Sequence, residues 1–258
     1  MRYDETVPSL AIRGHIATYW HFSVARDGSD SLSHAIPPDA TTSLVFHVAS
    51  RSLLFSGPRT TPLVIDVKPG DEYWGARLWP GAGLGLVPMP FASLRDRVIP
   101  AAAVARVDWL VALMSRLARA ADYSEACAIW DDELGRRLRS CPEIDREVLA
   151  AALVAIRARG DLTVRALVRI VGLSPRQLLR RFLKATGLTP KELIAARRVR
   201  AALIDAVDYD ARRWADIAAD SGFSDEAHLS REVRRLLGSS PSAVRAHLRS
   251  MHGTLVDR

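Results

Sequence analysis

Cationic side chains at helical spacing are concentrated in the last third of the chain. Arg176, Gln177 and Arg180 fall on one side of one helical stretch, and Ala227, His228 and Arg231 fall on the matching side of another. Arg176 and Arg180 are one helical turn apart, so both guanidiniums can face the same surface. A guanidinium bonds the O6 and N7 edge of guanine as a fork, and a glutamine amide matches adenine. These six positions are the candidate base readers. Arg181, Lys184, Arg234 and Arg235 lie toward helix C-termini or flanks, where a cation meets phosphate and adds affinity without sequence choice. Ser174 and Ser224 stand at helix starts, whose free N–H groups also suit phosphate. Any one of these arginines alone is ordinary helix surface; their shared register is what singles them out.

That register comes from a duplicated pattern. Leu167-Val168, Gly172-Leu173-Ser174, Leu178, Phe182 and Gly187-Leu188-Thr189-Pro190 reappear as Ile217-Ala218, Gly222-Phe223-Ser224, Leu229, Val233 and Gly238-Ser239-Ser240-Pro241. The offset is 50 up to the Gly-x-Ser and 51 from the leucine onward, so one residue has been added between turn and second helix. A short helix, a glycine turn and an arginine-bearing second helix are the means by which a chain sets a helix into a major groove. Helices are expected over 144–159, 163–171, 175–185, 190–206, 212–221, 225–237 and 241–249. Thr163, Ser174, Thr189 and Ser240 stand at N-cap positions, and Pro175, Pro190 and Pro241 occupy first helical positions, where a missing N–H costs nothing. The stretch Lys191–Leu203 joins the two units without glycine or proline and should be a rigid strut. Rigidity matters because successive major grooves on one face lie roughly 34 Å apart.

Charge agrees with this division. Residues 1–145 carry 15 Lys+Arg against 17 Asp+Glu, whereas residues 146–258 carry 21 against 12. All the excess positive charge therefore sits on the half with the repeats, as a polyanion partner requires. Only Lys68, Lys184 and Lys191 are lysines, so guanidinium groups must make most cationic contacts.

Residues 1–100 read as β-structure: Ile16–Phe22, Ser43–Val48, Leu53–Phe55 and Leu63–Val67 are β-branched and aromatic runs between Gly/Pro clusters. Short strands at this spacing favour a small barrel or sandwich. Gly81, Gly83 and Gly85 alternate without a strand–loop–helix context, which makes them loop glycines rather than a nucleotide site. Residues 101–142 turn helical. Val104, Val107, Leu110, Val111, Met114 and Leu117 mark one apolar face, a second helix spans Ser124–Leu138, and Cys141-Pro142 ends the segment. These helices can cover the barrel or pair two subunits. Trp20, Phe46, Arg59, Trp74 and Arg77 are the candidate ligand pocket, with Phe22, Tyr73 and Trp79 as further aromatic wall. His15, His21, His34 and His47 lack metal-ligand spacing, so neither a metal, a cofactor nor a catalytic residue is expected. Cys127 and Cys141 form no framework, and no apolar run approaches membrane-spanning length; a cytoplasmic, non-membrane protein is expected.

The span from about 145 to 250 resembles the double helix-turn-helix domain of AraC/XylS-type transcription regulators. Gly172-Leu173-Ser174, Leu178, Arg180, Phe182, Gly187–Pro190, Arg197–Ala202, Ile217-Ala218, Gly222-Phe223, His228–Arg231, Gly238 and Pro241 carry the resemblance. Val168 and Val233 depart from the family's usual alanine and phenylalanine. The resemblance implies double-stranded promoter DNA as partner, a bacterial and nucleoid-associated setting, and contact with RNA polymerase. Gly57–Thr60 and Gly75–Ala82 look like the N-terminal domain of a subset of these regulators, which implies a cupin-like sensing barrel for a small-molecule effector. The expected fold class is therefore α+β multidomain. Residues 1–100 form a small barrel, 101–142 a helical linker that can serve a homodimer, and 143–250 an all-α domain with helix-turn-helix units at 163–184 and 214–236. DNA-repair chemistry known among relatives of this domain needs an N-terminal cysteine cluster, and no cysteine precedes Cys127. A ligand-independent architectural protein and a metal-dependent cupin enzyme remain the alternatives.

Overall fold

The computed structural model describes residues 1–27, 31–83, 86, 89–103, 108–141, 143–209, 212–250 and the backbone of 252–253. Val104, Val107, Gly85 and Pro142 lie outside the described residues.

Among these residues the first part is β-rich. It contains β1 (Arg2–Thr6), β2 (Ile16–Ser23), β3 (Leu32–Ile36), β4 (Thr42–His47), β5 (Ser52–Ser56), β6 (Leu63–Val67), β7 (Glu72–Leu78) and β8 (Val98–Pro100). β9 (His252–Gly253) adds in parallel to β1, giving the order β8-β5-β4-β7-β2-β1-β9, while β3 and β6 form a separate antiparallel pair. Period-two alternation sorts the side chains. In β4, Leu44 and Phe46 are buried while Ser43 and Val45 turn to the opposite face. In β7, Trp74, Ala76 and Leu78 are buried on the side opposite Tyr73, Gly75 and Arg77.

The Phe46 and Trp74 face packs beneath helices. α1 (Phe91–Leu94), α2 (Asp108–Leu117) and α3 (Tyr123–Leu138) join the strands in one core holding Phe55, Phe91, Leu113 and Trp130. The helices at 101–142 thus spend their apolar faces on the large sheet. α2 starts at Asp108 rather than at Ala101, where a three-residue 3-10 turn stands, and Val111 is exposed.

The remaining helices are α4 (Arg146–Arg157), α5 (Val164–Val171), α6 (Pro175–Thr186), α7 (Pro190–Asp208), α8 (Trp214–Asp220), α9 (Glu226–Leu237) and α10 (Pro241–Ser250). Their starts follow from local chemistry. Ser174 and Gln177 form a capping box on α6, and Thr189 and Glu192 form one on α7, each with proline at the first position. The two turns need a left-handed residue, supplied by Gly172 at φ 69° and Gly222 at φ 72°. α7 runs unbroken for 19 residues, about 28 Å at 1.5 Å per residue. Its first half, with Leu193 and Ala196, packs into the core of Leu167, Leu178 and Phe182; its second half, with Ala202 and Leu203, packs into that of Ile217, Leu229 and Val233. One helix therefore belongs to both cores and fixes the two units to each other.

Among the described residues the sheet does not close on itself, so the expected barrel is an open seven-stranded sheet with a separate two-stranded pair, and the helical part is docked on it. Ala40 is buried in the first helical core, Gly81 lies against Val148 and Ala185, and Gly187 lies under the Phe91 carbonyl. Arg95 pairs with Glu192, and the Ala35 N–H donates to His247 Nε2 at 3.3 Å.

Candidate nucleic-acid interface and effector cavity

Arg176, Arg180 and Lys184 follow one exposed ridge of α6, and Arg231 and Arg234 follow one of α9. None of these five cations has an intramolecular hydrogen-bond or ion-pair partner among the described residues. Their buried counterparts are Leu178 and Phe182 on α6 and Leu229 and Val233 on α9, which face their own cores. Arg180 and Arg231 occupy matching places, each two residues after the buried leucine.

Other candidates are already engaged. Gln177 Oε1 accepts from the Ser174 N–H at 2.9 Å, while Ser174 Oγ accepts from the Gln177 N–H at 3.2 Å. A two-pronged adenine contact needs that carbonyl, so Gln177 is a cap before it is a reader. Ser174 Oγ is equally taken up by the helix. Arg181 departs from the expected phosphate role: its guanidinium is forked between Asp145 at 2.7 and 2.5 Å and Glu147 at 2.6 Å, closing α6 onto α4. Those carboxylates raise the Arg181 pKa; burial pushes Asp145 up, but the Arg181 guanidinium and the Val148 N–H outweigh it and hold that carboxyl below its usual pKa. Arg235 forks Glu232 at 3.0 and 2.8 Å.

Ser224 is not the cap of α9. Asp225 holds that place and accepts from the His228 N–H at 2.6 Å. The cause is the extra residue in the second turn, which puts Asp225 in register with Ser174. The 51 offset carried this signal. Ser224 Oγ instead contacts Asp225 and His228 Nδ1, and the His228 ring sits edge-on to Phe223 at 5.3 Å. His228 is thereby a packing residue at the helix start, and Ala227 is exposed beside it.

The β-rich part encloses a cavity of about 240 Å³ between the large sheet and the β3–β6 pair. Trp20, Arg59 and Arg77 line it, as do Phe22 and Tyr73. Phe46 and Trp74 do not: alternation turns them to the opposite face of the sheet, into the core under the helices. Trp79 likewise lies elsewhere, its Nε1 donating to the Arg13 carbonyl at 2.9 Å. The Trp20 ring lies across Gly75, where a Cβ would meet it at 2.0 Å. Tyr3, His34, Ile36 and Asp39 complete much of the wall and were not legible as pocket residues, because β1 and β3 carry no recognisable strand pattern.

Charge in the cavity is largely balanced. Arg77 bonds Glu5 at 3.0 Å and the Tyr3 hydroxyl at 3.0 Å, and approaches Asp39 at 3.3 Å. Arg59 donates to the Thr61 and Pro62 carbonyls at 3.2 and 3.1 Å. Burial opposes ionisation of Asp39, but Arg77, Arg200 of α7 and the Thr41 hydrogen bonds outweigh it and hold the carboxyl below its usual pKa. Burial, then the neighbouring His247, lowers His34 to about 4. The result is an apolar chamber with an internally compensated polar end.

Residues 167–247 match the family described as a helix-turn-helix domain, and residues 4–100 match a domain of unknown function (DUF6597). No curated protein matches the chain. The DNA-binding domain of AdpA, a global transcriptional factor solved with a target DNA, is 28% identical over 40% of this chain and 94% of its own, with a TM-score of 0.36. ToxT from Vibrio cholerae is 11% identical over 88% of this chain and 94% of its own, with a TM-score of 0.45. The xylose-binding transcription activator xylR is 18% identical over 43% of this chain and 29% of its own, with a TM-score of 0.36. Two helix-turn-helix units on one strut, matched over 167–247, define a DNA-binding transcription regulator. Its helix-turn-helix domain is of the AraC type.

Proposed function

We propose that α6 and α9 enter successive major grooves of one promoter site, with Arg176, Arg180 and Arg231 reading bases and Lys184 and Arg234 holding phosphates. The observation that carries this is the matched, exposed and unpaired placement of Arg180 and Arg231 on helices that α7 joins rigidly. Ala227, lacking a polar side chain, can meet a thymine methyl. The first unit then carries most of the sequence choice. Selection of bound duplexes from random DNA tests the proposal. A two-part motif with halves about one helical turn, 10–10.5 base pairs, apart is expected. Enrichment of no motif, with broad protection in footprints, would instead identify an architectural protein.

The residues at 1–100 are proposed as a sensing domain whose cavity takes an apolar small molecule, with 101–142 as its helical cover and 143–250 as the DNA-binding domain. The apolar wall of Trp20, Phe22, Ile36 and Val45 supports that reading. Because Arg77 is compensated by Glu5 and Asp39, an uncharged ligand fits better than a simple anion. Filling the cavity with Val45→Trp should abolish ligand-dependent thermal shifts while leaving DNA affinity intact. Since α2 and α3 already spend their apolar faces on the large sheet, a monomer is proposed, and sedimentation at micromolar concentration checks it. Its partners are promoter DNA and, through promoter occupancy, RNA polymerase; its action is binding rather than turnover.

A further inference from the structure

Three large apolar side chains stand exposed among the described residues of the helical part: Ile170, Leu179 and Tyr209. Only Leu179 shares a helix with the unpaired cations of the candidate interface. It is 43% exposed and takes no part in the core of Leu167, Leu178 and Phe182. It follows Arg176 by three residues and directly precedes Arg180, which places it about 60° round α6 from Arg176. That flank lies away from Arg181, whose guanidinium ties the opposite flank to Asp145 and Glu147. One turn on, the half-buried Leu183 continues the apolar flank.

The duplication shows that the fold does not require leucine at this place. At the 51 offset Leu178 and Phe182 correspond to Leu229 and Val233, and all four are buried. Leu179 and Leu183 correspond instead to Ser230 and Arg234, yet α9 still forms its own core with α7 and α8. The apolar flank is therefore a property of the first unit's surface. Uncovered, it leaves apolar area in water at about 25 cal/mol per Å². Arg176, Arg180 and Lys184 beside it draw a polyanion, and the DNA major groove offers one apolar group on its floor, the C5-methyl of thymine.

We propose that Leu179 is a specificity-determining residue, packing on a thymine C5-methyl in the first half-site beside the base pair that Arg180 reads. The inference rests on α6 being a groove-entering helix, and it names a contact that the arginines cannot make. Leucine offers no acceptor to the N4 amino group of cytosine, so covering cytosine leaves a buried donor unpaired and forgoes the methyl contact as well. Uracil loses the methyl contact alone. The order of preference is therefore thymine, then uracil, then cytosine, with 5-methylcytosine above cytosine. In the second unit Ser230, small and polar, does not tell thymine from uracil, so the two half-sites differ in kind.

The test uses the full-length protein and the duplex selected from random DNA. Each thymine of that duplex is replaced in turn by deoxyuridine, which removes one methyl group, and affinities are read by fluorescence anisotropy. The half-site that Arg180→Ala relaxes is the first. One thymine in it should stand out, its replacement weakening binding roughly threefold to fivefold, as loss of one buried methyl group predicts. Cytosine there should weaken binding roughly tenfold or more, and 5-methylcytosine should recover part of that loss. Leu179→Ala should bind the thymine and uracil duplexes equally, with an unchanged thermal midpoint because the side chain is exposed. Leu179→Met should retain part of the difference, and Arg180→Ala should lose selectivity at a different base pair. If no thymine of that half-site shows the methyl effect, or Leu179→Ala keeps it, the proposal is wrong while the arginine reading stands. A Leu179→Ala variant that is weaker on selected and random duplexes alike, or that unfolds earlier, gives the leucine a non-specific or structural role and equally overturns it. If selection enriches no motif, both readings fall.

Discussion

Arg180 and Arg181 are chain neighbours with different employment. A helix turns 100° per residue, so Arg180 stands on the open ridge while Arg181 falls back toward α4 and two carboxylates. Loss of Arg180 or Arg231 to alanine should cost about 1–3 kcal/mol on the preferred site and relax one base position. Lys184→Ala should weaken all sequences alike and lower the salt slope by about one unit. Arg181→Ala should lower the thermal midpoint and leave the salt slope nearly unchanged. Binding isotherms on specific and random duplexes at several salt concentrations separate these three behaviours. At the same scale, His34 is stacked on Phe22 at 4.9 Å and titrates near 4 when folded, against 6.5 when unfolded. The unfolded chain therefore takes up more protons in that window, and stability present above pH 6.5 is lost as the pH falls toward 4. His34→Phe should flatten the thermal midpoint between those pH values; an undiminished slope would assign the dependence to other groups.

Elements differed in how plainly they announced themselves. The helices at 144–249 were legible because Thr163, Ser174 and Thr189 are caps, and a cap is a local event within three residues. The strands β1, β3, β7 and β8 were not. Glu72-Tyr73-Trp74-Gly75-Ala76-Arg77-Leu78 contains charges and a glycine, and it is a strand because β2 and β4 pair with it on either side. Gly75 is the informative position: the glycine makes room for the Trp20 ring at the cavity wall. Gly75→Ala should push that ring into the cavity, reduce stability by about 1–3 kcal/mol as overpacking does, and shift tryptophan emission. An unchanged spectrum and midpoint would show that the sheet bends to absorb the methyl group.

At the scale of the whole molecule, the DNA-binding part is seated on the β-rich part by small residues and a few polar ties. Gly187 ends α6 at φ 72°, and a Cβ there would lie 2.6 Å from the Phe91 carbonyl. Gly187→Ala should therefore cost at least about 1 kcal/mol from the backbone conformation alone and should also loosen the docking. Limited proteolysis is expected to release the two parts faster in this variant, and equal rates would locate the strain within the helical part alone. The same docking brings Arg13 and Trp79 opposite Arg157, and Arg200 toward Asp39.

The sequence by itself determined the duplicated motif, the caps and turns that shape it, and which arginines stand in equivalent places, because all of these depend on neighbours within a helical turn or two. Tertiary structure decided which of those arginines are free. Arg181 depends on carboxylates 34 and 36 residues away. The face taken by Phe46 and Trp74 depends on which side of the sheet the helices cover. The cavity lined by Arg13, Trp79 and Arg157 exists only because α4 and α7 meet the loop before β2. Pairing and burial across long chain separations have no local signature, and at those points only the folded molecule could answer.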